Sequence, residues 1–173
     1  MKTLTYIILL LLLPAITFSQ GYNVPSVSLK TLDGKSVPST TVIPSDELTL
    51  IYFFSEFSTA LTDNFEYLEN LAEKYSETDK INVIAIYDAS LGAYGQLKPF
   101  LDGSNIELKT YIDVNGELQK AMGQSSNSSY LLVGTKHNSS ARYFDSIANS
   151  YDILDEQFAE LTTVDRSHSL FVE

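Results

Sequence analysis

The chain has 173 residues, no cysteine, and 22 acidic side chains against 11 basic ones, for a formal net charge of −11. Without a thiolate it performs neither disulfide exchange nor thiol-based peroxide reduction, and it holds no zinc–thiolate or iron–sulfur centre. The acidic balance without lysine or arginine clusters disfavours nucleic acids and anionic membrane surfaces as partners.

The N-terminus reads as a secretory signal peptide. Lys2 supplies a short positive region, Ile7 to Leu13 an apolar one, and Thr17-Phe18-Ser19 ends on a small residue. Cleavage is expected after Ser19, giving a signal peptide at 1–19, one domain at 20–162 and an unfolded tail at 163–173. The apolar region is short for a membrane span, so no membrane insertion is expected after cleavage.

Val27 to Val37 places alternating apolar residues around Asp33-Gly34, the pattern of a β-hairpin. Thr40 to Glu47, with Pro44, reads as a loop. Leu48 to Phe54 is a continuous apolar run, expected as a strand buried on both faces.

Leu61, Phe65, Leu68, Ala72 and Tyr75 then recur at helical spacing, with Glu66, Glu69, Glu73 and Lys74 opposite. Ser58, Thr59 or Thr62 is a candidate cap, and Asp63 suits the first turn. Ile81 to Tyr87 reads as a second buried strand, making a βαβ unit with parallel strands.

Ala93 to Leu101 reads as a short helix interrupted by Pro99. Glu107 to Ile112 is expected as a strand. Asp113-Val114-Asn115-Gly116-Glu117-Leu118 turns into a short helix that Gly123 ends. Tyr130 to Val133 and Arg142 to Ile147 are expected as an antiparallel pair. Tyr151 to Leu161 has the spacing of a closing amphipathic helix.

The segment Phe53-Phe54-Ser55-Glu56-Phe57-Ser58-Thr59-Ala60-Leu61, at the turn from strand to helix, resembles the active-site turn of the thioredoxin superfamily. Its secreted TlpA/ResA-like branch and the related alkyl hydroperoxide reductase/thiol-specific antioxidant (redoxin) group carry aromatic-Trp-Ala-x-Trp-Cys-x-x-Cys there. The hairpin at 27–37 and the Asp113 to Leu118 turn resemble further stretches of that family. The resemblance covers about residues 24–161. It implies an α/β thioredoxin-like fold: a central mixed sheet with helices on both faces and an N-terminal hairpin.

The resemblance also locates what is lost. Ser58 and Leu61 stand where the two cysteines belong, with Thr59 and Ala60 between them. Asn127, before Ser128, stands where the family has a cis-proline, and a non-proline residue favours a trans bond there. No catalytic residue is therefore expected among these positions. Ser58 as a nucleophile needs a base and an orienting acid, and the chain offers only His137 and His168; a helix-capping role is the simpler reading. Leu61 belongs to the apolar face of its helix.

Phe54, Phe57, Ser58, Asn127 and Ser128 are the candidate binding residues, with one of the two phenylalanines expected in the core. No metal or cofactor is expected, since the two histidines and the scattered carboxylates lack ligand spacing. Asp145-Ser146-Ile147 resembles an O-glycosylation acceptor of some bacteria. Asn127-Ser128-Ser129 and Asn138-Ser139-Ser140 match the N-glycosylation pattern.

Three functions fit. One is a periplasmic or secreted non-catalytic module that binds a protein or peptide. Another is an accessory of a thiol–disulfide or antioxidant pathway that acts through a partner's cysteines. The third is a non-thiol enzyme using the helix N-terminus at Ser58, as glutathione transferases use a hydroxyl beside a bound thiol.

Overall fold

The computed structural model describes residues 24–44, 47–57, 59–76, 81–90, 92, 94–123, 128–133, 142–144 and 156. Strands β1 (Ser28–Thr31) and β2 (Ser36–Pro38) form the expected antiparallel hairpin, with Leu29 opposite Val37. Gly34 takes a φ of 85° in its turn, a conformation that costs glycine little. The Thr31 hydroxyl donates to the Asp33 carboxylate, and Lys35 pairs with Asp33 at 2.7 Å.

The next segment departs from the expected loop. Ser39–Val42 forms one helical turn, α1. The Ser39 hydroxyl donates to the Pro25 carbonyl at 2.5 Å and accepts from the Val27 N–H at 3.0 Å, so the turn is tied to the chain ahead of the hairpin. Val42 and Ile43 are buried, and burying that apolar pair favours the turn over an open loop.

Strand β3 (Leu48–Phe54) is buried at all seven positions. It pairs in parallel with β4 (Ile81–Asp88) on one side and antiparallel with β6 (Ser128–Val133) on the other. A strand with a neighbour on each edge and helices over both faces has no solvent side, hence the unbroken apolar run. Strands β5 (Thr110–Asp113) and β7 (Arg142–Phe144) complete a seven-stranded mixed sheet of order β2-β1-β5-β4-β3-β6-β7. The expected antiparallel pair is β6 with β7.

Helix α2 (Thr59–Ser76) connects β3 to β4. Leu61, Phe65, Leu68, Leu71 and Tyr75 are its buried residues, so Leu71 joins the expected face while Ala72 sits at its border. Each such side chain contributes about 1.5–3 kcal/mol when fully buried. Asp63 is the fifth residue of the helix, and no acidic residue lies in the first turn. Glu69 is not turned to solvent as its place in the pattern implied. Its Oε1 accepts the N–H groups of Glu107 and Leu108 at 2.6 and 2.8 Å, tying α2 to the lead-in of β5.

After a 3-10 turn at Tyr94–Gln96, α3 (Leu97–Gly103) follows. Pro99 does not interrupt it. It is the third helical residue, where the N–H has no intrahelical acceptor to lose. The strand expected over 107–112 begins later, at Thr110. Helix α4 (Glu117–Ala121) follows the Asp113 turn, and Gly123 ends it at a φ of 74°.

Two cores flank the sheet. One packs α2 and α3 on Leu50, Tyr52, Phe54, Ala85 and Tyr87. The other packs α1 and α4 on Leu29, Ile51, Phe53, Ile84 and Ile86. Helices on both faces follow from βαβ connections. Among the described residues no helix is long and apolar enough to cross a membrane. The signal segment, the tail and both asparagine positions of the N-glycosylation pattern lie outside the described residues, as does Asp145-Ser146-Ile147; of the closing helix only Glu156 lies within them.

Candidate functional site

The parallel strands β3, β4 and β5 deliver the chain to one end of the sheet, at Phe54, Asp88 and Asp113. Ligand sites of α/β sheets form at this end, outside the carboxyl ends of the strands.

At this end aromatic rings run from core to surface. Tyr52 stacks on Phe54 at 5.5 Å, and Phe65 meets both edge-on at 5.6 and 5.3 Å. Phe54 contacts Tyr87 at 5.3 Å. Phe57 lies parallel to Tyr87, at 5.4 Å between centroids and 10° between planes. Phe100 of α3 leans on Phe57 at 5.1 Å. The phenol of buried Tyr52 accepts from Asn64 Nδ2 at 3.2 Å.

This geometry separates the candidate residues. Phe54 is fully buried, so it is a core residue and not part of a binding surface; its alternation along β3 turns it onto the α2 face. Phe57, beyond the end of the strand, is 38% exposed, and it is the exposed large apolar side chain among the described residues. Leu61 is buried in the core under α2, as its helical face requires. Thr59 and Ala60 are the first two helical residues. Ser128 opens β6 with its backbone opposite Phe54. Ser58 and Asn127 lie outside the described residues.

The pattern of the sequence missed three participants. Tyr87 and Phe100 support Phe57 from other elements, and nothing in their local spacing marks them for that. The third is Asp113, almost wholly buried. Its Oδ1 accepts the Glu117 N–H at 3.0 Å, and its Oδ2 accepts those of Leu118 and Gln119 at 2.8 and 3.1 Å. One carboxylate thus satisfies three of the open donors of α4. An aspartate four residues ahead of a short helix was the available signal. Burial pushes the Asp113 carboxyl up from its ordinary value; the three N–H groups pull it back, and the neighbouring Asp88 charge adds to the rise.

Gly116 makes this turn possible. It holds a φ of 65°, and a Cβ there would lie 3.0 Å from Asp88 Oδ1 and 3.2 Å from Ser90 Oγ. Asp88 Oδ1 accepts the Ser90 N–H at 2.8 Å. Burial, with the Asp88 charge beside it, raises the Tyr87 phenol above its ordinary value.

A cleft of about 530 Å³ lies at the other end of the sheet, lined by Glu69, Ala72, Ile81, Val83, Leu108 and Lys109 among others. Ile81 and Tyr87 stand six residues apart on β4, so the cleft is ~20 Å from the Phe57 rings.

No family model matches the chain, and no curated protein matches it. Solved structures do. A protein assigned as thiol:disulfide interchange protein DsbE from Chlorobium tepidum superposes with a TM-score of 0.68 at 15% identity, covering 82% of this chain and 96% of that one. The fold is thioredoxin-like. A secreted Mycobacterium tuberculosis disulfide oxidoreductase gives 0.62 at 12% identity, over 78% and 96% of the two chains. A thiol-disulfide oxidoreductase from Bacteroides fragilis gives 0.64 at 13% identity, over 81% and 99%. The mixed sheet and the helices on both faces are those of the thioredoxin-like architecture, and this chain carries the architecture with no cysteine.

Proposed function

We propose that this chain is a non-catalytic thioredoxin-like module, secreted or periplasmic, that binds a protein or peptide segment at the end of the sheet marked by Phe57. The observation that carries the reading is the complete lack of cysteine in a fold whose solved neighbours are thiol–disulfide oxidoreductases. Without a thiolate there is no attack on a disulfide sulfur. What this end retains is an aromatic surface: one exposed ring, braced by Tyr87 and Phe100. Exposed aromatics held by their neighbours are common anchors in protein interfaces. The signal-like N-terminus supports export, as does the secreted Mycobacterium tuberculosis neighbour. The activities of the neighbours favour, as a second reading, an accessory role beside a partner that supplies the cysteines.

The test pairs a negative with a positive. Insulin reduction and peroxide reduction are measured on the purified chain, and a photo-crosslinking side chain is placed at position 57 and, as control, at Lys109 on the opposite end. The module reading expects no turnover and a discrete protein adduct from position 57 alone. Turnover above buffer, or equal crosslinking from both positions, overturns it.

A further inference from the structure

We propose that the Phe57 step selects a basic segment of its partner, seating an arginine or lysine side chain over the exposed ring. This names the partner chemistry of the module reading above and rests on it.

The ring is held in place. Tyr87 lies parallel to one face and Phe100 leans against it, so Phe57 is presented by two other elements rather than left to swing. A ring already fixed loses little freedom when a partner binds. The Phe57 residue remains 38% exposed, enough for a side chain to reach it from outside.

Among the described residues the charge at this end is mainly negative, with Lys30 of β1, opposite Ile112, on the far side of β5. Asp88 follows Tyr87 at the end of β4, only half-buried, and its charge is felt at the Tyr87 phenol. Beyond β5, exposed Glu117 opens α4, while Asp113 itself is buried against the α4 N–H groups and stands apart from this rim. Glu56, exposed, immediately precedes Phe57. On α3, which supplies Phe100, Lys98 is matched by Asp102 at 2.9 Å. Exposed Lys120, in the last turn of α4, is a basic residue beside this acidic set. The whole chain repeats this bias, with 22 acidic side chains to 11 basic.

A guanidinium or ammonium group over an aromatic face is attracted by the ring, and carboxylates at the rim strengthen that attraction. The same carboxylates repel an acidic or phosphorylated segment. An uncharged apolar segment gains the ring contact alone.

The experiment is an NMR titration of the full chain with three synthetic nonapeptides. They share a serine scaffold and a central leucine, which is flanked by two arginines, two glutamates or two serines. The arginine peptide is expected to shift resonances of Phe57, Tyr87 and Phe100, to bind about tenfold tighter than the serine peptide at low salt, and to lose most of that margin at high salt. Phe57→Leu keeps an apolar side chain without a π face and is expected to abolish the preference for arginine. Equal shifts at Phe57 from the arginine and serine peptides overturn the basic-partner inference and leave the module reading standing. Arginine-peptide shifts centred elsewhere, or a preference unchanged in Phe57→Leu, also overturn it. No shifts at Phe57 from any of the three overturn both.

Discussion

The Phe57 ring lies parallel to the Tyr87 ring, 5.4 Å between centroids and 10° between planes, and so joins the end of β3 to the end of β4 above the core. Phe57 is 38% exposed while Phe54, three residues earlier, is fully buried. Phe54→Ala is expected to cost about 3–5 kcal/mol, as for a buried aromatic. Phe57→Ala should cost about 1 kcal/mol, since it forfeits ring contacts more than burial. Urea unfolding of both variants measures the difference; comparable losses would place Phe57 in the core and remove it as a binding anchor.

Restoring cysteine at positions 58 and 61 is expected to leave a poor catalyst. Leu61 is buried under α2, so Leu61→Cys sacrifices packing, by about 1–3 kcal/mol. Positions 58 and 61 have the spacing of the Cys-x-x-Cys turn that this segment resembles, a spacing that closes a disulfide. Mass spectrometry should detect the disulfide, while insulin reduction stays far below that of a working thioredoxin. A rate equal to that enzyme's would mean that the substrate groove survives, contrary to the binding-module reading.

Asp113 is expected to be the structural anchor of α4. Asp113→Ala leaves three N–H groups without their acceptor and should destabilise the chain by about 2–3 kcal/mol. Gly116→Ala adds a left-handed residue cost of about 1–2 kcal/mol and presses on Asp88. Hydrogen exchange should accelerate at Glu117, Leu118 and Gln119 in both variants; unchanged exchange would rule out the cap.

The carboxylates Asp33 and Asp113 should titrate on opposite sides of the ordinary aspartate value of 3.8. Hydrogen bonds from Lys35 and then from the Thr31 hydroxyl hold Asp33 at about 2. Its contribution to the hairpin is therefore present above pH 3.8 and lost as pH falls through about 2. Asp113 is raised, chiefly by burial, so its contribution is complete below pH 3.8 and declines as pH rises through its folded value. Carboxyl carbon NMR measures both midpoints. An Asp33 midpoint at 3.8 would show that the turn contacts do not hold in solution.

Glu69 should act as a clamp between α2 and the segment before β5. Glu69→Ala is expected to speed hydrogen exchange at Glu107 and Leu108 while leaving the hairpin amides unchanged. Glu69→Gln, which keeps an acceptor oxygen, should restore part of the protection. Equal exchange in all three proteins would show that the contact carries no stability.

Much of the fold was legible because it is written in local periodicity. The run Leu48 to Phe54, the helical spacing of Leu61, Phe65 and Leu68, and the Asp33-Gly34 turn each fix their element within a few residues. The misreadings came where tertiary contacts override local pattern. Val42 and Ile43 tighten an expected loop into a helical turn because they cap the second core. Glu69 reads as a solvent-facing charge because its two acceptor bonds are to residues 38 and 39 positions away.

The sequence by itself determined the chemistry that this chain lacks: with no cysteine, no arrangement of the backbone can supply a thiolate. It also determined the order of the strands and of the longer helices, since burial periodicity is a property of neighbouring residues. Only the tertiary structure decided between Phe54 and Phe57. Both are phenylalanines of one short segment, and their fates differ because β3 pairing and the α2 core enclose Phe54 while Phe57 rests above Tyr87 and Phe100. Which side chain faces solvent is set in part by residues thirty or more positions away, Tyr87 and Phe100, and those distances close only when the sheet assembles.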